Sequence, residues 1–285
     1  IRKIETENGY EKAIFKDREE IYPEDDLPLV RFHETSREVS LEDPDIFSYL
    51  PEKVNYVPAS RESHFFISEE DPYRIFQILK DKTLGRFSIH GEVTSPLDYL
   101  LNFLGYENAL TEMMISPNTC KAVLQKFTDG IVEMADGICY QDIDAVKISS
   151  PFAGMGFISP GMYREFELPY LSQIVRAIHD AGKFSYIHTC GKINDRLEMM
   201  SQSGTTGLEC LDPPPIGNVK LDEAFARIGN RMFIKGNIDS VNTLLKANDA
   251  VIRQDILNRL QTGMRYSGFI LSTACSIAPG VKAER

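Results

Sequence analysis

Short branched or aromatic runs alternate with longer helical stretches along the chain, and this rhythm limits the fold more than any other feature. Eight runs stand out: residues 28–32 (PLVRF), 54–57 (VNYV), 86–90 (RFSIH), 145–149 (AVKIS), 184–188 (FSYIH), 207–211 (GLECL), 232–236 (MFIKG) and 269–272 (FILS). Each is bounded by Gly, Pro, Ser or charged residues, the pattern of a buried parallel strand. Helical patterns fill the intervals. Asp71 and Pro72 open one whose apolar face is Ile75, Phe76, Ile78 and Leu79. Leu97, Leu100, Leu101 and Leu104, then Val123, Leu124 and Phe127, recur at helical spacing between Ser95 and Tyr140. Ser159 and Pro160 read as a capped helix start, with a kink at Pro169 and a stop at Gly182. Residues 194–202, 221–228 and 241–261 complete the alternation.

Strand then helix, repeated about eight times, selects an α/β fold with parallel strands, and that number favours a closed (β/α)8 TIM barrel over an open doubly wound sheet. No Gly-x-Gly-x-x-Gly loop opens any of the helices, which removes the dinucleotide-binding version of such a sheet. With no Pro/Ser-rich linker in the middle, residues 26–285 read as a single barrel domain behind an N-terminal extension, 1–25. A closed barrel needs a helix after its last strand, yet the chain stops ten residues after Cys275, so the expectation is either a truncated C-terminus or an N-terminal segment that covers that face. The start at Ile1 rather than Met raises the same expectation for the N-terminus.

Charge narrows the partners. Asp and Glu outnumber Lys and Arg by 42 to 31, and the net charge of -11 repels phosphate backbones and anionic headgroups, which argues against nucleic acid and membrane surfaces. No stretch approaches the ~18 consecutive apolar residues of a membrane span. Five cysteines do not make a disulfide framework in a chain of 285 residues, so a reducing, cytoplasmic setting is expected. The oligomeric state stays open, with a homodimer as one option.

Chemistry in a barrel sits at the C-terminal ends of its strands. The fifth run ends FSYIHTCG, and strand alternation lets His188 and Cys190 point the same way. The eighth run ends ILSTACSIAPG, which brings Cys275 to the same rim. One imidazole and two thiolates suit zinc, and three protein ligands leave a tetrahedral ion one open position. Such a site holds an incoming thiol as thiolate, so alkyl transfer to sulfur is the expected chemistry. The competing explanation is packing: His-x-Cys is common by chance, and Cys120, Cys139 and Cys210 are expected to be core thiols.

The segment SPGMYREFELPYLSQIVRAIHDAGKFSYIHTCGKINDRLEMMSQSG, followed by RIGNRMFIKGNIDSVNTLL and ILSTACSIAPG, resembles the uroporphyrinogen decarboxylase superfamily over roughly residues 86–280. The resemblance implies a (β/α)8 barrel. It also implies one of two chemistries. Decarboxylases of the superfamily hold a tetracarboxylate porphyrinogen with an Arg-rich N-terminal loop, and Arg2, Arg18, Arg31 and Arg37 form no such arrangement here. Its zinc-dependent methyltransferases work with corrinoid (methylcobalamin) carrier proteins and use His-x-Cys plus a distant Cys, the pattern that His188, Cys190 and Cys275 match. Near the position where some of these carry an acidic residue close to the metal stands Glu209, the candidate catalytic residue or fourth ligand, with Asp212 as the alternative. For Glu209, an ion pair with a neighbouring Lys or Arg inside the barrel is the competing role.

Asn237, His90, Ser149, Ser150 and Asp212 are the candidate substrate-binding residues, and Gly154 and Gly156 mark a flexible loop over the mouth. The expected function is therefore a zinc-dependent methyltransferase moving a methyl group between a corrinoid and a small substrate, a thiol foremost. No Asp-x-His-x-x-Gly stretch is present, so the corrinoid would arrive on a separate carrier protein. Decarboxylation of a tetrapyrrole carboxylate, or a barrel that only binds a ligand, are the alternatives.

Overall fold

Connection length divides the strands into two kinds, because antiparallel neighbours need only a turn whereas parallel ones need a crossover of a dozen or more residues. The computed structural model describes residues 70–277 without a break, together with 2–5, 10–14, 19–23, 30–32, 41, 43–60, 63–66, 280–282 and 284–285. Strands β1 (Arg2–Glu5), β2 (Tyr10–Ile14) and β3 (Glu19–Pro23), joined by short links, form an antiparallel meander. Strands β4 (Val30–Phe32) and β5 (Tyr56–Ser60) flank β6 (Ser63–Phe66) in a second antiparallel sheet.

From residue 90 onward the links are long and the strands parallel. They are β7 (His90–Thr94), β8 (Ala145–Ser149), β9 (Phe184–Thr189), β10 (Gly207–Cys210), β11 (Phe233–Ile238) and β12 (Phe269–Thr273), adjacent in chain order. The α/β class with a parallel sheet holds, with six strands in that sheet. Two of the eight expected barrel strands are corrected: residues 30–32 and 56–57 belong to β4 and β5, which pair antiparallel with β6. A short apolar run does not encode the direction of its partner. Pro28 and Leu29 lie outside the described residues, as do Arg18 and Arg37. The third run is displaced, since β7 begins at His90 rather than Arg86. Within the parallel sheet, β7 and β12 each pair with one neighbour only.

Alternation along the strands builds the core. Val93, Val146, Ile148, Ile187, Leu208 and Ile234 are all fully buried in one hydrophobic cluster with the covering helices. The helices begin with α1 (Arg74–Thr83), which has no buried residue, and continue with α2 (Pro96–Leu104), α3 (Tyr106–Ile115) and α4 (Pro117–Cys139). Then come α5 (Pro160–Phe166), α6 (Leu168–Asp180), α7 (Leu197–Gln202), α8 (Leu221–Ile228) and α9 (Asp249–Gly263). Local chemistry sets their ends. Ser159 Oγ accepts from the Met162 amide with Pro160 behind it, and Gly182 at φ 75° ends the run after α6. The expected kink at Pro169 is a break between α5 and α6 at Glu167. The helix expected over 241–261 is likewise two pieces, a π-helical turn (Ser240–Leu245) capped by Asp239 and then α9, capped by Asn248. No helix among the described residues is long and apolar enough to cross a membrane.

The opposite face of the parallel sheet carries charged side chains beside the Tyr186 and Phe233 rings. Strand register lines up Glu92 with Lys147, and His188 with Glu209 and then Lys235. Facing side chains pair directly, as Lys147 Nζ to Glu92 Oε2 at 2.8 Å shows. This lining leads toward the C-terminal ends of the strands.

Candidate metal centre

His188 belongs to β9 and Cys190 follows it by two residues, so both side chains leave on this charged side of the sheet. Cys275 arrives from just beyond β12. His188 Nε2 lies 3.3 Å from Cys190 Sγ, which lies 3.8 Å from Cys275 Sγ. All three donor atoms fall within 4.8 Å of one another. Around a tetrahedral ion with Zn–S near ~2.3 Å and Zn–N near ~2.05 Å, two sulfurs sit ~3.8 Å apart and sulfur and nitrogen ~3.5 Å apart. The observed separations and the soft donor set therefore fit zinc.

The other imidazole nitrogen is also occupied. His188 Nδ1 lies 2.9 Å from Glu209 Oε2, and the second Glu209 oxygen takes an ion pair from Lys235 Nζ. A carboxylate on Nδ1 leaves Nε2 turned toward the thiols, the arrangement in which a histidine serves a metal. Burial opposes the charge on both groups, and their hydrogen bonds overcome it. His188, bonded to Cys190, Cys275 and Glu209, is pushed up to about 11, while Glu209, bonded to His188 and Lys235, falls to about 2. The neighbouring Cys190, Cys210 and His188 side chains lower Cys275.

Cys210 is fully buried, as expected of a core thiol, and also borders this cluster. It lies at φ 83° and Leu211 at φ 54°, left-handed backbone that non-glycine residues seldom adopt. This turn ends β10 and sets the buried Cys210 thiol near Cys190 and Cys275, outside the three-donor group. The neighbouring thiols and burial hold its proton on. Cys120 and Cys139 are buried core thiols of α4.

The cluster opens into a cavity of about 630 Å³ lined by residues that include Phe157, Lys192, Asp212, Ile216 and Ile277. Asp212 is buried at its edge, where Oδ2 accepts the Gly191 amide at 2.7 Å and fixes the turn after Cys190. Ser149 is half-buried beside His188 in register. Pro279, in the turn expected after Cys275, lies outside the described residues.

Three substrate-binding candidates are engaged within the protein. His90 starts β7 and so sits at the far end of the strand from the mouth, with Nδ1 2.9 Å from the Tyr186 hydroxyl. Ser150 is buried and donates to Glu167 Oε1 at 2.5 Å. Asn237 is buried with both ends engaged, its Nδ2 donating to Leu211 O at 2.9 Å and its Oδ1 accepting from Arg259. The loop carrying Gly154 and Gly156 is pinned. Fully buried Arg196 donates to Ala153 O at 2.7 Å and Ile158 O at 3.0 Å, and the Met155 amide donates to Lys192 O at 2.8 Å. A Cβ at Gly154 would stand 2.8 Å from Cys190 O, so glycine is what lets this loop approach the cluster. Arg196 and Lys235 escaped the sequence reading; an ionisable residue in the middle of an apolar strand was the available signal for Lys235.

An α/β fold with a parallel sheet, carrying a His–Cys–Cys cluster at the carboxyl ends of its strands, defines the class of protein. The chain belongs to the uroporphyrinogen decarboxylase (URO-D) family, whose model matches residues 68–285. It is similar to a methylcobamide:CoM methyltransferase MtaA of Methanosarcina barkeri, 24% identical over 208 residues, covering 73% of this chain and 58% of that one. It is also similar to a uroporphyrinogen decarboxylase of Danio rerio, 26% identical over 230 residues with the same coverages of 73% and 58%. A solved methyltransferase from Methanosarcina mazei shares the fold with a TM-score of 0.64 at 21% identity, over 73% of this chain and 58% of that one. The chain thus spans less than two thirds of the length of these relatives.

Proposed function

We propose that this chain is the zinc-dependent methyltransferase part of an enzyme that moves a methyl group between a corrinoid, carried by a partner protein, and a thiol. One observation carries the reading: His188 Nε2, Cys190 Sγ and Cys275 Sγ converge with separations that suit zinc, beside a cavity large enough for a substrate. Zinc bound there would act as a Lewis acid that favours the thiolate form of the substrate. The chain's own residues set the conditions. Glu209 fixes the imidazole through Nδ1, Asp212 fixes the turn behind Cys190, and the Arg196-pinned loop narrows the mouth. Phe157, Ile216 and Ile277 give the cavity a partly exposed apolar rim, which suits a carrier protein seated over the mouth. A thiol-based ligand set needs reduced cysteines, in keeping with a cytoplasmic location.

Similarity to decarboxylases supports a second reading, loss of a carboxylate from a tetrapyrrole without metal. The cavity lining argues for the first, because it holds two thiols and a carboxylate against the single cation Lys192. Metal analysis of protein purified without chelator tests the choice. One zinc per chain, lost in Cys190→Ser and Cys275→Ser, is the expected result; zinc-free protein, or variants with wild-type turnover, would defeat the methyltransferase reading.

A further inference from the structure

Lys235 sits in the middle of β11, a position where burial of an ammonium is costly without a partner. Register aligns it with Glu209 on β10, which is aligned with His188 on β9, so the three form one row across three strands. Glu209 is buried and has only two oxygens. Oε2 faces His188 Nδ1 at 2.9 Å and Oε1 is held by Lys235. On its other side the ammonium rests over the Tyr186 ring, 5.6 Å from its centroid. Both carboxylate oxygens are thus engaged within the row.

We propose that Lys235 is a positioning residue of the cluster: it clamps Glu209 behind His188, keeping that carboxylate out of the ligand set and reserving the fourth position for an incoming thiol. The inference rests on the metal reading above. A carboxylate left without its lysine would be an intramolecular competitor for that open position, at the high effective concentration that tethering gives. Removing the carboxylate itself would loosen the imidazole instead and weaken metal binding. The two residues thus have opposite signatures.

The test uses the full chain loaded with cobalt(II) in place of zinc and 2-mercaptoethanol as the thiol probe, read by sulfur-to-cobalt absorption. Wild type should show a thiol-dependent rise. Lys235→Met should need at least about tenfold more thiol for the same rise, and Lys235→Arg should stay near wild type. Glu209→Gln should keep the thiol response while binding cobalt about 10–100-fold more weakly. The double variant Glu209→Gln/Lys235→Met, which leaves no unpaired charge, should recover the thiol response, and it replaces the single variant if Lys235→Met does not fold. A Lys235→Met protein that responds to thiol like wild type overturns the clamp while leaving the metal reading intact, as does a double variant that stays unresponsive. Wild-type protein that binds neither cobalt nor zinc overturns both.

Discussion

Glu167 joins α5 to α6 with its carboxyl group fully buried, and only one of its two oxygens is served in the structure: Oε1 accepts from Ser150, whereas Oε2 has no partner. Around it lie Ser95, the equally buried Asp98, and Tyr163, whose ring in turn carries the Arg196 guanidinium 5.4 Å from its centroid. Burial, opposed by the Ser150 hydrogen bond and the nearby Ser95 hydroxyl, raises Glu167 from 4.5 to about 7, and burial together with Glu167 raises Asp98 as well. A carboxyl raised in the folded state adds stability below its unfolded value and loses it as pH climbs through the folded one. For Glu167 that window runs from about 4.5 to about 7, and the shift is worth on the order of 3 kcal/mol. Urea unfolding between pH 4.5 and 8 should therefore show stability falling as pH rises, with a flatter profile in Glu167→Gln. Parallel profiles for the two proteins would refute the assignment. Nothing in the sequence marks this pair, because residues 98 and 167 meet only once α2 and the α5–α6 break have packed against the sheet.

At the level of elements, Arg196 decides how the loop after β8 lies. Its guanidinium spans the carbonyls of Ala153 and Ile158 and pairs with Asp195 at 2.9 Å, so the stretch between those carbonyls is fastened at both ends. Arg196→Met strips two buried carbonyls of their donors, at about 1–2 kcal/mol each. The variant should lose about 3 kcal/mol in urea unfolding and become cleavable by protease within residues 151–158; an uncut loop would show that the glycines and the Lys192 contact suffice. The loop looked flexible in the sequence because glycine signals freedom and close approach alike, and Gly154 is there for approach. The strands were legible for the same reason that they pack. Five of the six parallel ones overlap the expected runs almost residue for residue, since a strand buried on its helix-facing side must be apolar and bounded. His188, Cys190 and Cys275 were legible because strand ends and alternation are local properties. Lys235, Arg196 and the turn at Cys210 depend on register between distant strands or on backbone dihedrals, which local pattern does not encode.

For the molecule as a whole, the question is what meets the mouth. The chain carries a net charge of -11, yet the rim is apolar, with Phe157, Ile216 and Ile277 each between 42% and 62% exposed around the cavity. Apolar side chains gathered at a mouth on an acidic surface favour a partner that covers them, at roughly 25 cal/mol per Å² of apolar area removed from water. A corrinoid held by a carrier protein would bring such a cover, whereas a free corrinoid would engage only the cavity. Phe157→Asp and Ile216→Asp place charge on that rim without touching His188, Cys190 or Cys275. Both should retain full zinc content. With carrier-bound corrinoid their kcat/KM should fall about tenfold or more, since burying an unpaired carboxylate in an interface costs over 1.4 kcal/mol, while the rate with free methylcobalamin should change far less. Equal losses with both donors would assign these residues to the substrate cavity, and no loss with either would remove the rim from the docking surface altogether.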